Sequence, residues 1–185
     1  MTAPLVARAL DAAARQGVSD QCAFQTVDKG PLPFADQSFD IIVIAGAVTQ
    51  AQDKEKIFND CFRLLHPGGH LSCYDWTRSN NDYSDDMHYW FKMEGLTYAL
   101  ETLDAYKEHL QNCGYVDIET EDASDWYREE VGREYDLIRG ELYSHMVELL
   151  GQESADHFVE NWRATTIVCK KGGMRQSYSR GRRPA

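Results

Sequence analysis

The chain has 185 residues, 43% of them hydrophobic and 11% aromatic, enough for one domain with a substantial core and too little for two ordinary ones. No apolar run approaches the roughly 20 residues that cross a bilayer. Residues 1–15, interrupted by Arg8, Asp11 and Arg15, lack the apolar centre of a signal peptide, so a cytoplasmic protein without a membrane partner is expected. The five cysteines are scattered and include no Cys-x-x-Cys. Neither a disulfide framework nor a metal site is therefore predicted. Net charge is −11, yet the last sixteen residues hold six basic residues and no acid, leaving −17 on residues 1–169. Such a body repels nucleic acid, and the basic tail at 170–185 reads as a solubilising segment whose charges answer the acidic helices.

Pro4 followed by Leu5, Val6, Ala9, Leu10, Ala13 and Ala14 predicts an amphipathic helix over 3–16, closed by Gly17. The alternation in 22–27, bounded by turn residues, predicts a short strand. Phe39 to Ala45 is a nearly continuous β-branched run, the pattern of a strand buried on both faces of a parallel sheet. Ile57, Phe58, Cys61, Leu64 and Leu65 mark one face of a helix between Asp53 and His66, with Asp53 as N-cap and Lys54, Glu55 and Lys56 as first-turn charges. Pro67-Gly68-Gly69 reads as the stop before a strand at 70–75, completing a right-handed βαβ unit. His66 is expected to face helix carbonyls.

Helices are then predicted at 85–95 and 102–112, a strand from Tyr115 to Glu121, helices near 124–150 and 153–171, and a closing strand from Met174 to Arg182.

The segment from Phe24 through Asp28, Lys29, Pro33, Asp36 and Ser38 to Asp40 closely resembles the third- and fourth-strand region of class I S-adenosylmethionine-dependent methyltransferases. Asp53 through Arg63-Leu-Leu-His-Pro67-Gly68-Gly69 looks like that family's next helix and its Lys-Pro-Gly-Gly turn, with His66 in place of Lys. The resemblance covers roughly residues 3–121, and the later helices are similar to the phosphoethanolamine and sarcosine/dimethylglycine N-methyltransferase branch. It implies an α/β fold, a Rossmann-like class I methyltransferase sheet with a helical insert before its last strands. The implied activity is direct transfer of a methyl group from S-adenosylmethionine to a small acceptor, most simply an amine.

By the same resemblance, Asp28 and Lys29 occupy the positions that receive adenine, although Asp before Lys29-Gly30-Pro31 is also ordinary turn chemistry. Ala45, Gly46 and Ala47 match the lining of the methionine end of the cofactor, while a tight turn needs Gly46 equally. The Asp and His that orient the amine in the branch fall at Gly46 and Gln50, so the usual His-centred base is absent and no catalytic residue is assigned. Asp75-Trp76 matches the acid and aromatic pair after the fifth strand. Tyr74, Tyr89, Tyr98 and Trp162 are further candidate walls, since aromatic faces hold a methylammonium by roughly 0.5–2 kcal/mol. Core packing explains each of these aromatics as well.

The family's glycine-rich first motif has no counterpart in the chain, and about 60 to 80 residues bearing the first strands are expected to be missing, on the usual size of βαβ units. The strand 39–45 would then have an open edge, inviting closure by strand 22–27 or by a second copy, as a homodimer. The alternative to an enzyme is a catalytically silent interaction protein that uses this edge. An RNA-binding accessory, resting on the tail alone, is the third reading.

Overall fold

The computed structural model describes residues 3–27 and 30–185. They fall into two compact units, one ending at Ala35 and the other spanning Asp36–Ala185. In the first unit, helix α1 (Ala3–Gln16) ends where the N–H groups of Gly17 and Val18 return to the carbonyls of Ala14 and Ala13, the C-cap that Gly17 predicts. Residues 22–27 form no strand. Six residues acquire ladder geometry only against a partner strand, and none pairs with them among the described residues.

The second unit is built on a four-stranded sheet ordered β1-β2-β4-β3, with β1 at Phe39–Ala45, β2 at Leu65–Arg78, β3 at Val116–Asp122 and β4 at Met174–Arg182. The first two are parallel and joined through helix α2 (Lys54–Leu64), the expected crossover unit; β4 runs antiparallel to both β2 and β3. The expected turn at Pro67-Gly68-Gly69 is instead a bulge inside β2, where the register against β1 shifts between Phe39 and Ile41. Gly69 makes this possible: a Cβ there would lie 2.9 Å from the carbonyl oxygens of Asp40 and His66.

Strand β1 departs from its expected burial on both faces. Ile42 and Ile44 pack into a core with Phe58, Cys61, Leu71, Cys73, Tyr106 and Leu110, whereas Ile41 and Val43 are 64% and 71% exposed. Side chains alternate across a strand, so one face of β1 is covered and the other is bare. Its edge away from β2 has no strand partner among the described residues, so strand 22–27 does not close it.

Helices α3 (Asp85–Glu94) and α4 (Leu103–Asn112) carry Ser84 and Thr102 as N-caps. The single helix expected over 124–150 is two, α5 (Ser124–Arg139) and α6 (Tyr143–Leu150), interrupted at Gly140, a poor helix residue. Helix α7 (Gln152–Lys170) follows. A second core gathers Met87, Trp90, Tyr127, Val131, Val168 and Met174.

The basic tail answers a helix at one position, where Lys171 pairs with Asp86 of α3, and otherwise a strand. Arg175 binds Asp122 at 3.0 Å, Arg182 binds Asp117 at 2.6 Å, and Arg180 lies between Glu119 and Glu121 at 3.8 and 3.9 Å. Cross-strand opposite charges support pairing, and β4 is an interior strand of the sheet. His66 is exposed; the carbonyls at the end of α2 are taken by Arg183, which donates to Phe62, Arg63 and Leu65.

Candidate active site at the carboxyl ends of β1 and β2

Ligands of open α/β sheets bind outside the carboxyl ends of the parallel strands, which here means the loop after β1 and the end of β2. The chain leaves β1 through Gly46, whose φ of +62° favours glycine and whose N–H donates to the Tyr74 carbonyl at 2.9 Å. Nothing lies within 4 Å of a Cβ placed on Gly46, so this backbone turn is open to close approach. A short 3-10 turn, Val48–Gln50, follows. Ala45, Gly46 and Gln50 are all exposed.

Asp75 is 1% exposed. Its carboxylate accepts from the Tyr106 hydroxyl at 3.1 Å and from the Trp76 N–H at 3.0 Å, with the Thr49 N–H also bonded to it. Burial raises its pKa above the ordinary value of 3.8, while these donors and the Lys54 ammonium pull the other way. Trp76, next in the strand, points to the opposite face. Its ring meets Trp90 edge-on at 5.5 Å and lies 6.0 Å from Tyr98, and Trp90 stacks on Tyr98 at 5.0 Å. The Asp75-Trp76 pair that is contiguous in sequence is thus divided between two cores, as strand alternation requires.

The Tyr98 hydroxyl donates to Glu94 at 3.0 Å. Tyr89, 41% exposed, turns outward and donates to Glu160 at 2.5 Å. Hydrogen bonds from Arg163 first, and from Tyr89, lower the Glu160 pKa to about 2. Tyr74 pairs with Tyr178 at 5.1 Å, and Trp162 stacks on Phe158 at 5.0 Å while donating to Glu134. Of the aromatic candidates, Trp76 and Tyr98 come together, joined by Trp90; Tyr74, Tyr89 and Trp162 make other contacts. Asp28 and Lys29 lie outside the described residues.

Two participants are absent from the sequence-based set. Lys54 is 1% exposed and its ammonium donates to the carbonyls of Val48, Ala51 and Ala99 at 3.2, 2.9 and 2.6 Å. Tyr106 is buried between Phe58 and Asp75. The signal for Lys54 is its spacing: positions 54, 58, 61 and 65 fall on one helical face, so the lysine belongs to the apolar stripe and not to the first-turn surface.

Among the described residues no cluster of three or more His, Cys, Asp or Glu can hold a metal, and no helix is long and apolar enough to cross a membrane. Cys61, Cys73, Cys113 and Cys169 are buried free thiols whose pKa values burial raises, as inert core cysteines should be.

Comparison with known proteins agrees with this architecture. Residues 2–73 match the family model described as a methyltransferase domain. Phosphoethanolamine N-methyltransferase of Triticum aestivum is 29% identical over 165 residues, 88% of this chain and 32% of that protein; phosphoethanolamine N-methyltransferase 1 of Arabidopsis thaliana is 28% identical, over 83% and 30%. The chain therefore spans about a third of the length of these curated relatives. Among solved structures, Haemonchus contortus phosphoethanolamine N-methyltransferase 2, in complex with phosphomonomethylethanolamine and S-adenosylhomocysteine, superposes with a TM-score of 0.75 at 20% identity, over 82% of this chain and 35% of that one. A Galdieria sulphuraria protein assigned as a sarcosine dimethylglycine methyltransferase gives 0.83 at 19% identity, over 98% and 66%. The fold of the described residues is the Rossmann-like class I methyltransferase fold.

Proposed function

Because the chain is a relative of the class I S-adenosylmethionine-dependent methyltransferases, near the phosphoethanolamine N-methyltransferase branch, we propose that it forms the acceptor side of an enzyme that methylates a small amine. The observation that carries this reading is the open glycine turn at Gly46. It lies beside the end of β2, in a chain whose relatives named as amine methyltransferases align over more than four fifths of its length.

The turn from Ala45 to Ala47 exposes backbone at the carboxyl end of β1 and fits the methionine end of S-adenosylmethionine; Asp28 and Lys29, which the resemblance assigns to adenine, lie outside the described residues. No glycine-rich loop is available in the chain for the rest of the molecule. When bound, the cofactor supplies a methyl carbon activated by its sulfonium. The chain's own residues orient the acceptor and exclude water, and alignment is the larger part of such catalysis. Trp76 and Tyr98 offer ring faces to a methylammonium. Asp75 acts from beneath, holding the Thr49 N–H and hence the loop, and not as an exposed base. Gln50, on the same loop, is an exposed amide able to accept from or donate to the acceptor.

The test is calorimetric titration with S-adenosylmethionine and S-adenosylhomocysteine, followed by methyl-transfer assays on phosphoethanolamine and sarcosine. Lacking the glycine loop, this chain alone should bind at best near millimolar, worth about 4 kcal/mol. A longer form carrying that loop should bind tightly and transfer, with Asp28→Ala weakening the cofactor. Absence of transfer by that form defeats the proposal. A silent interaction protein is the second reading, favoured by the bare Ile41 and Val43 on the unpartnered strand β1.

A further inference from the structure

Lys54 is the first residue of α2, where the helix dipole disfavours a cation, and it is withdrawn from solvent, where an unpaired ammonium is costly. Sequence position and burial both argue against a lysine here, so its three hydrogen bonds have to account for it. They converge from two separate segments: Val48 and Ala51 belong to the loop after β1, and Ala99 to the stretch between α3 and α4. The same two segments meet in the backbone, where the Ala99 N–H donates to the Thr49 carbonyl at 2.9 Å. Thr49 in turn donates its N–H to Asp75, which Tyr106 of α4 also binds. All three N–H donors of the ammonium are used, and its charge lies near the carboxylates of Asp75 and Glu101 and 5.8 Å from the Tyr106 ring centre.

We propose that Lys54 is a positioning residue whose buried ammonium ties the loop after β1 to the segment before α4, and so sets the shape of the acceptor side of the site. That the loop belongs to an acceptor site rests on the function proposed above; the tie itself does not. A methionine of the same length would fill the space but leave three carbonyls without their donor. The loop that carries Gly46 and Gln50 would then be held only by its backbone contacts and by Asp75 through the Thr49 N–H.

Hydrogen exchange measured by NMR on the whole chain tests the tie. In Lys54→Met the amides of Thr49 and Ala99 should exchange faster by about tenfold or more, while the β2–β4 ladder keeps its protection. In Lys54→Ala, n-propylammonium should restore that protection where n-propanol does not, because the charge and donors, not the volume, are what the site lacks. Wild-type protection at Thr49 and Ala99 in Lys54→Met, or a loss spread evenly over the ladder, overturns the proposal. Should neither variant fold, the wild-type Lys54 Nζ resonance decides: scalar couplings to the carbonyls of Val48, Ala51 and Ala99 support the tie, and a freely exchanging ammonium without them refutes it. In a form that transfers methyl groups, Lys54→Met should raise the acceptor KM by about tenfold with cofactor affinity little changed. A loosened loop with unchanged KM removes the positioning role. A wild-type protein that never transfers methyl removes the proposed function and leaves the tie to be judged on exchange.

Discussion

The guanidinium of Arg183 donates to the main-chain carbonyl of Phe62 at 2.8 Å and lies 4.9 Å from the centre of the Phe62 ring. The same nitrogen reaches the carbonyls of Arg63 and Leu65, so the third-last residue of the sequence caps a helix that ends at Leu64. Arg183→Ala leaves those carbonyls without a charged donor, and a loss of about 2–3 kcal/mol is expected in urea denaturation. Arg183→Lys should recover only part of it, since an ammonium cannot reproduce the planar fork over Phe62. An unchanged midpoint for Arg183→Ala would show that water caps the helix equally well.

Asp75 predicts a pH dependence of definite sign. Its folded pKa lies above 3.8 because burial disfavours the carboxylate. Below that value the proton is held in folded and unfolded states alike. As pH rises from 3.8 through the raised folded value, the unfolded chain ionises first and stability is lost. Asp75→Asn still accepts from Tyr106 but does not titrate, so its stability relative to wild type should climb across that window and stay constant above it. Denaturant midpoints for the two proteins between pH 4 and 8 measure this; a difference that does not vary with pH refutes it.

The edge of β1 predicts association. Ile41 and Val43 are bare on a strand whose outer edge has no partner among the described residues, the arrangement that invites edge-to-edge pairing. Light scattering on the 185-residue chain should give a dimer or larger species, and Ile41→Lys with Val43→Lys should shift it toward monomer. A stable wild-type monomer would argue against association through this edge.

Strand β4 predicts indifference to nucleic acid. Arg175, Arg180 and Arg182 are each faced by acids of β3, so no free basic stripe remains along that pair of strands. Single-stranded RNA should not be retained at about 150 mM salt. Replacing Asp117, Glu119 and Glu121 by their amides should create salt-sensitive binding. Retention by the wild-type chain would revive the RNA-binding reading.

How much was legible in the sequence depended on how local the deciding contacts were. The helix stop at Gly17, the cap Asp53 and the crossover from β1 to β2 were readable because periodicity, capping and turn chemistry act within a few residues; the caps Ser84 and Thr102 emerged only in the structure. Residues 22–27 carry a strand's alternation yet form none, since a ladder needs a partner that no six-residue pattern specifies. Pro67-Gly68-Gly69 looks like a turn and belongs to a bulge, because Gly69 answers the backbone of Asp40 from another strand. The site divides in the same way: Gly46 was visible as a turn residue, but Asp75 and Trp76, neighbours in sequence, were sent to opposite cores by strand alternation. Lys54 and Tyr106 were recruited to Asp75 from helices that meet it only in the folded molecule. Only tertiary structure decided that the expected closing strand 174–182 would lie inside the sheet, facing the acids of β3, and that Arg183 would cap α2, because charge composition tells how many cations there are and not which carbonyls and carboxylates will face them.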